Sequence, residues 1–236
     1  MKRTNLFKLA ADRKSAEVLL YDEIGAYYDT GVTAKDFIEQ LAALGQVDVI
    51  VLRINSPGGI VTDAFAIYNA LKNHGAKVIV QIDGLAASSA SVVAMAGDEI
   101  TIAANGFVMI HRPWNVAIGD SGELRKSADI LDKLEEKIVD SYAGRVSVKR
   151  PEIVQMMADE TWLNAEEALA AGFVDSIGAE QTAAAMAFDL SRFRHPPEAL
   201  SVRPPRGEIV RLQEAADAAR EVAVRLRLLD IDDDAA

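Results

Sequence analysis

Ser88, His111 and the pair Gly58-Gly59 are the residues whose types and placement could perform chemistry together. Ser88 stands in Gly84-Leu85-Ala86-Ala87-Ser88-Ser89-Ala90. An apolar run, Lys77-Val78-Ile79-Val80-Gln81-Ile82, precedes it, and an apolar helical segment, Ser91-Val92-Val93-Ala94-Met95-Ala96, follows. A serine at a strand-to-helix turn sits on a sharp corner where its hydroxyl can face a cleft. The first N–H groups of the helix lack intrahelical acceptors there, and the positive end of the helix dipole lies beside them. Such a corner suits a nucleophile whose attack creates an oxyanion, although Ser/Ala clusters at these turns also serve packing alone.

Asn55-Ser56-Pro57-Gly58-Gly59 occupies a second strand-to-helix turn. Adjacent glycines let backbone N–H groups approach a carbonyl oxygen with no Cβ in the way. The same residues also make an ordinary turn. His111 closes Met109-Ile110-His111, and a catalytic base must end a strand in this way to reach a nucleophile at another strand end. A histidine beside apolar residues is more often structural. The chain has three histidines; His74 adjoins Gly75 and His195 lies among prolines, which leaves His111 as the well-placed base.

The elements that must hold these residues alternate at short intervals. Glu17 to Tyr21 reads as a short strand. Thr33, with Asp36 three residues on, caps a helix from Ala34 to Leu44 that ends at Gly45. The β-branched run Val47 to Ile54 reads as a buried strand. A helix to Gly75, the strand Lys77–Ile82, a helix from Ser88, and strands near Glu99–Ala103 and Phe107–Ile110 follow. Ser121 is read as the cap of a long helix to about Arg145. Pro151 suits the first turn of another helix ending near Met157. Asn164 and Glu167 form a capping box for Ala165–Ala171, which ends at Gly172. This alternation predicts an α/β class with mostly parallel pairing.

The chain has 236 residues, enough for one substantial core. Its net charge of −11 argues against a nucleic-acid binder, which would present a basic face. The absence of cysteine excludes disulfides, thiolate metal sites and a cysteine nucleophile. The N-terminus lacks the apolar region of a signal peptide, and no run reaches the ~18 apolar residues of a membrane span. A cytoplasmic location is expected. Composition changes after about Ala187. The reading divides the chain into a domain over 1–187, a proline-rich linker over 188–207, and a C-terminal helix with an acidic tail over 208–236.

In order and spacing, Ser56-Pro57-Gly58-Gly59, Gly84 to Ala90 and Met109-Ile110-His111 resemble the ClpP family of serine peptidases, over roughly Glu17 to Ile177. Leu20 to Gly25, Val32 to Phe37 and Glu160 to Leu169 are similar to the ClpP-related head maturation proteases of tailed phages and prophages. The resemblance implies a ClpP/crotonase-type fold of repeated β-β-α units, with the helix after Ser121 as a protruding handle. It implies Ser88 as nucleophile and His111 as general base. The family's acid precedes its conserved-pattern aromatic by two residues, which falls on Glu160 before Trp162, where ClpP itself has aspartate. Asp159 is the competing acid. The resemblance further implies an oxyanion hole from Gly58 or Gly59 and Ser89. Substrate would lie extended between Ile60-Val61 and Arg112-Pro113-Trp114, with Trp114 alternatively a core aromatic.

The function so implied is an ATP-independent serine endopeptidase. It forms homo-oligomeric rings, single or stacked, and processes scaffold or capsid proteins in the host cytoplasm or the assembling procapsid. No metal, nucleotide, nucleic-acid or membrane partner is implied. Two rivals stand beside it: a crotonase-fold acyl-CoA enzyme, which needs no Ser–His pair, and a catalytically silent assembly module.

Overall fold

In the computed structural model, residues 7–9, 14–25, 31–180, 188–197 and 200 are described. Over these residues the chain forms β1 (Phe7–Leu9), β2 (Ser15–Leu20), α1 (Ala34–Leu44), β3 (Val49–Ser56), α2 (Val61–Asn73), β4 (Lys77–Ala87) and α3 (Ser89–Ala94). It continues with β5 (Glu99–Ala103), β6 (Phe107–Ile110), α4 (Ser121–Ala143), α5 (Arg150–Asp159), β7 (Thr161–Asn164), α6 (Ala165–Ala171) and β8 (Ser176–Gly178). The eight strands share one sheet, with β1-β2-β3-β4-β5-β8 as its main path. β6 branches from the far end of β4 and carries β7 on its other edge. Pairing is parallel except for β1 with β2 and β6 with β7.

Alternation decides which face of the sheet is core. Ala16, Val18 and Leu20 of β2, Ile50, Leu52 and Ile54 of β3, and Val78, Val80 and Ile82 of β4 are buried. Each such valine, leucine or isoleucine contributes roughly 1.5–3 kcal/mol over an exposed one. The residues between them are only half-buried and include Glu17, Arg53 and Gln81. Val47 to Ile54 therefore is not a strand buried on both faces. Its second face carries a polar row, with Arg53 opposite Gln81 and Gln81 opposite Thr101.

Buried Asp83 accepts from Arg53 Nε at 2.7 Å, from Arg53 Nη2 at 2.9 Å, and from the Tyr21 hydroxyl. The hydrogen bond to Asp83 holds the Arg53 guanidinium even more firmly protonated than usual. The cluster ties Tyr21 to the sheet. Three residues on, Ile24 donates to the Gly58 carbonyl at 3.0 Å and accepts from Ile60 N–H at 2.8 Å. An ion cluster on the sheet thus anchors the loop that carries the glycine pair.

Several elements differ from the sequence reading. The long helix is capped by Asp120, not Ser121; Asp120 accepts from Gly122 and Glu123 N–H while Glu123 closes the box. It ends at Ala143, two residues before the expected Arg145. β4 runs on to Ala87, through the segment read as a turn. β1, β7 and β8 are strands the pattern did not reveal, the last two of four and three residues.

The chain divides into two units. Met1–Gln181 with Phe193–His195 makes the first, and Thr182–Arg192 with Pro196–Ala236 the second. Phe193–His195, in the stretch read as linker, therefore belong to the first unit. The expected helix over 208–229 and the acidic tail lie outside the described residues.

Candidate active site

Sheet register brings the serine and histidine together. β4 pairs with β6 through Leu85, Ala86 and Ala87 opposite Phe107, Val108 and Met109. One step on, Ser88 N–H donates to the Met109 carbonyl at 2.8 Å. Two residues past Met109 is His111, whose Nε2 lies 2.7 Å from Ser88 Oγ. β4 reaches this branch by an irregularity: Ile54 opposes Ile82, but Ser56 opposes Ala86. The extra residues in β4 leave the Leu85 N–H inside the protein, and the buried Asn55 side chain accepts it at 3.1 Å. Asn55 thus joins the site as the residue that lets the strand bend, a role only its Asn-Ser-Pro-Gly-Gly context could have suggested.

Ser88 takes φ 54° and ψ −127°, off the regions a non-glycine residue prefers. Its carbonyl is held from inside, accepting from Ser91 N–H at 3.0 Å and from Ser91 Oγ at 2.5 Å. Ser91 Oγ in turn meets the hydroxyl of fully buried Tyr142, near the end of α4, at 2.8 Å. Burial pushes the Tyr142 hydroxyl's titration far up, so it stays protonated. The strained corner is therefore braced through Ser91 to α4.

The glycine loop presses directly on that corner. Gly58 has φ 82°, and a Cβ there would lie 2.5 Å from the Ala87 carbonyl oxygen and 2.8 Å from Ser88 Cβ. Gly59 has φ 155°, and its Cβ would lie 2.1 Å from the Ile24 carbonyl oxygen. The Gly58 N–H donates to Ser56 Oγ at 3.2 Å, and the Gly59 N–H donates to Ser89 Oγ at 2.8 Å. The Ser89 N–H is the first of α3 and has no acceptor within the helix. Gly58→Ala is expected to slow any reaction of the Ser88 hydroxyl by about 100-fold or more, because displacing a reacting group by ~1 Å costs that much. Steady-state kinetics and the rate of serine-directed labelling would both fall.

Glu160 is reached from the other edge of β6. Ile110 opposes Thr161 in the antiparallel β6–β7 pair. Continuing that register one step sets His111 across from Glu160. Glu160 is 5% exposed and takes the left-handed φ of 54° at the end of α5. Among the described residues, Ser88 and Glu160 are the two non-glycine positions with positive φ. Backbone strain of this kind concentrates at functional sites.

The Glu160 carboxylate accepts from His195 N–H at 2.7 Å, Arg194 N–H at 2.9 Å and the Trp162 indole at 3.3 Å. Burial pushes its titration up, but these donors and the nearby His111 charge outweigh that and hold it below the usual carboxylate range. Asp159 is exposed on the last turn of α5, where Gln155 donates to it at 2.9 Å. The His111 charge acts on Glu160, whereas Asp159 faces solvent beside Gln155.

The segments expected to flank a substrate are partly engaged. Ile60 N–H is bonded to Ile24, and Val61 opens α2. Arg112 N–H donates to the Met157 carbonyl at 3.1 Å, and its guanidinium pairs with Glu135 at 3.2 Å. Trp114 is 58% exposed, so it is not a core aromatic. Among the described residues no group of three or more His, Asp or Glu side chains is arranged to hold a metal ion, and no helix is long and apolar enough to cross a membrane.

Comparison with known proteins shows the family. Residues 11–181 match the Clp protease family. The chain belongs to that family. It is 32% identical over 130 residues to the ATP-dependent Clp protease proteolytic subunit of Pleurastrum terricola, a match covering 54% of this chain and 66% of the relative, just under two thirds. It is 29% identical over 168 residues to the ATP-dependent Clp protease proteolytic subunit 1 of Chlamydia muridarum (strain MoPn / Nigg), covering 67% of this chain and 88% of the relative. The α/β fold with its largely parallel sheet is that of a Clp protease domain. ClpP family members are serine peptidases that form ring oligomers and act on polypeptides.

Proposed function

We propose that this chain is a ClpP-type serine endopeptidase with Ser88 as nucleophile, His111 as general base and Glu160 as the acid that orients it. The observation that carries the reading is the 2.7 Å contact between Ser88 Oγ and His111 Nε2 at a strained strand-to-helix corner. Ser88 Oγ attacks the peptide carbonyl while His111 takes its proton. The imidazolium then protonates the leaving amine, and water repeats the cycle on the acyl-enzyme. Glu160 holds the ring and stabilises its positive charge. The developing oxyanion meets the Ser89 N–H and takes the Gly59 N–H from the Ser89 hydroxyl, which rotates aside. A Ser–His contact of this kind favours a peptidase over an acyl-CoA enzyme or a silent assembly module.

Hydrolysis at this site consumes no nucleotide. Both relatives are named as ATP-dependent proteolytic subunits, whereas this chain is proposed to cleave short peptides without ATP. The narrower setting, processing scaffold or capsid proteins during phage head maturation, is supported by Leu20 to Gly25, Val32 to Phe37 and Glu160 to Leu169. Ring assembly and a location in the host cytoplasm or procapsid belong to the same reading. A fluorophosphonate should form a mass-resolved adduct on the Ser88 peptide, and a fluorogenic peptide should be hydrolysed with no nucleotide present. An unlabelled Ser88 would overturn the peptidase reading, and strict ATP dependence on a short peptide would overturn its ATP independence.

The pH–rate profile should show a rising limb between about pH 5 and 8, because the base must be unprotonated to act. The Glu160 carboxylate favours imidazolium, so removing its charge should move that limb to lower pH. A flat profile across this range would count against His111.

A further inference from the structure

Phe193, Arg194 and His195 lie beyond the 11–181 span of the family match, yet belong to the same compact unit. Buried Phe193 meets two rings edge-on: His111, with centroids 5.5 Å apart, and Trp162, at 5.6 Å. The next two N–H groups fall on the two oxygens of Glu160, Arg194 on Oε2 at 2.9 Å and His195 on Oε1 at 2.7 Å. The Arg194 guanidinium stands 3.9 Å from Oε2, mostly in solvent, and also donates to the Ala158 carbonyl at 3.3 Å. The segment therefore touches the acid through backbone, the base through an aromatic edge, and Trp162 through the same ring.

We propose that Phe193–His195 is a positioning strap for the catalytic acid and base, supplied by chain outside the region this protein shares with the Clp protease family. The physical need is plain. A glutamate carries one more rotatable bond than an aspartate, so its carboxylate must be fixed from outside if it is to orient an imidazole. Two N–H donors, one per oxygen, lock the plane of the carboxylate. Phe193 closes the outer side of His111 and keeps the ring from swinging away. None of these residues touches reacting atoms; each acts through Glu160 or His111. The inference rests on the proposed Ser88, His111 and Glu160 triad.

Proline at position 194 deletes a donor that no side-chain change can remove. In the full chain, Arg194→Pro and Phe193→Ala should each lower kcat by about 10- to 100-fold on a short peptide with KM changed less than about threefold, matching a misoriented base. Arg194→Pro should also move the rising pH limb to lower pH, since a loosened carboxylate stabilises imidazolium less. A merely structural role would lower the titrated active fraction and leave the limb in place. Arg194→Ala keeps the N–H and should lose far less rate than Arg194→Pro. Phe193→Tyr should restore most of the rate that Phe193→Ala loses. Active sites are counted with fluorophosphonate, so unfolded protein does not enter kcat. Wild-type kcat and pH limb in both Arg194→Pro and Phe193→Ala, beside a crippled Glu160→Gln, would overturn the strap alone. Wild-type activity in Glu160→Gln would overturn the triad reading and the strap with it.

Discussion

Ser88→Ala should reduce peptide hydrolysis by about 10⁴- to 10⁶-fold, the usual consequence of removing a triad nucleophile. The loss should not come from misfolding. The corner is held by backbone and by Ser91: Ser88 N–H donates to Met109, and the Ser88 carbonyl accepts from Ser91 N–H and Oγ. Alanine keeps all three bonds. It also carries the same Cβ, so the φ of 54° costs it about what it costs serine. What disappears is the Oγ that faces His111. Circular dichroism, thermal midpoint and oligomer size should match the parent, while fluorophosphonate labelling at position 88 vanishes. A Ser88→Ala protein that still cleaves casein at the parent's rate would place the nucleophile elsewhere.

Much of this frame was legible in the sequence because its signals are local. Thr33 and Gly45 bound α1, and the Asn164–Glu167 box bounds α6 at the residues read from the pattern. β5 and β6 also fall where their apolar runs place them. The serine, histidine and glycine pair could be singled out because each stands at the end of an apolar run. What could not be read is whatever depends on pairing. Thr161–Asn164 has no alternation to mark it; β6 makes it a strand, and its register pairs Ile110 with Thr161, the neighbours of His111 and Glu160. Glu160 as the proposed acid is legible only through a family pattern anchored on Trp162. β4 runs past its apolar stretch because β6 pairs with its far end and Asn55 covers the irregularity. Ser121 looked like a cap because it opens the helix; the residue before it has the side chain that reaches back. Arg194 and His195 were hidden most completely, since they contribute backbone N–H groups, which no residue type announces.

The acid gives the second large effect. Glu160→Gln should slow peptide hydrolysis by about 10²- to 10⁴-fold, whereas Asp159→Asn should stay within about tenfold. The contrast follows from surroundings, not from type. Asp159 is in solvent and paired with Gln155. Glu160 is enclosed by donors: Arg194 N–H, His195 N–H and the Trp162 indole. A glutamine in that enclosure removes the charge that stabilises imidazolium and turns one acceptor into an NH₂ group facing another N–H. Two donors then confront each other inside the protein, costing roughly 1–3 kcal/mol of stability. The pH dependence carries the same signature. Glu160 is held below the ordinary carboxylate range, so its contribution to stability is present above the unfolded-state value of about 4.3 and is lost as pH falls through its lower folded value. Thermal midpoints of the parent should therefore drop on acidification more steeply than those of Glu160→Gln. Kinetics of the two variants on one peptide decide the assignment. If Asp159→Asn is the crippled enzyme, the acid has been placed one residue too far along; if both stay near the parent rate, the protein works as a Ser88–His111 dyad and Glu160 is a structural cap on α5.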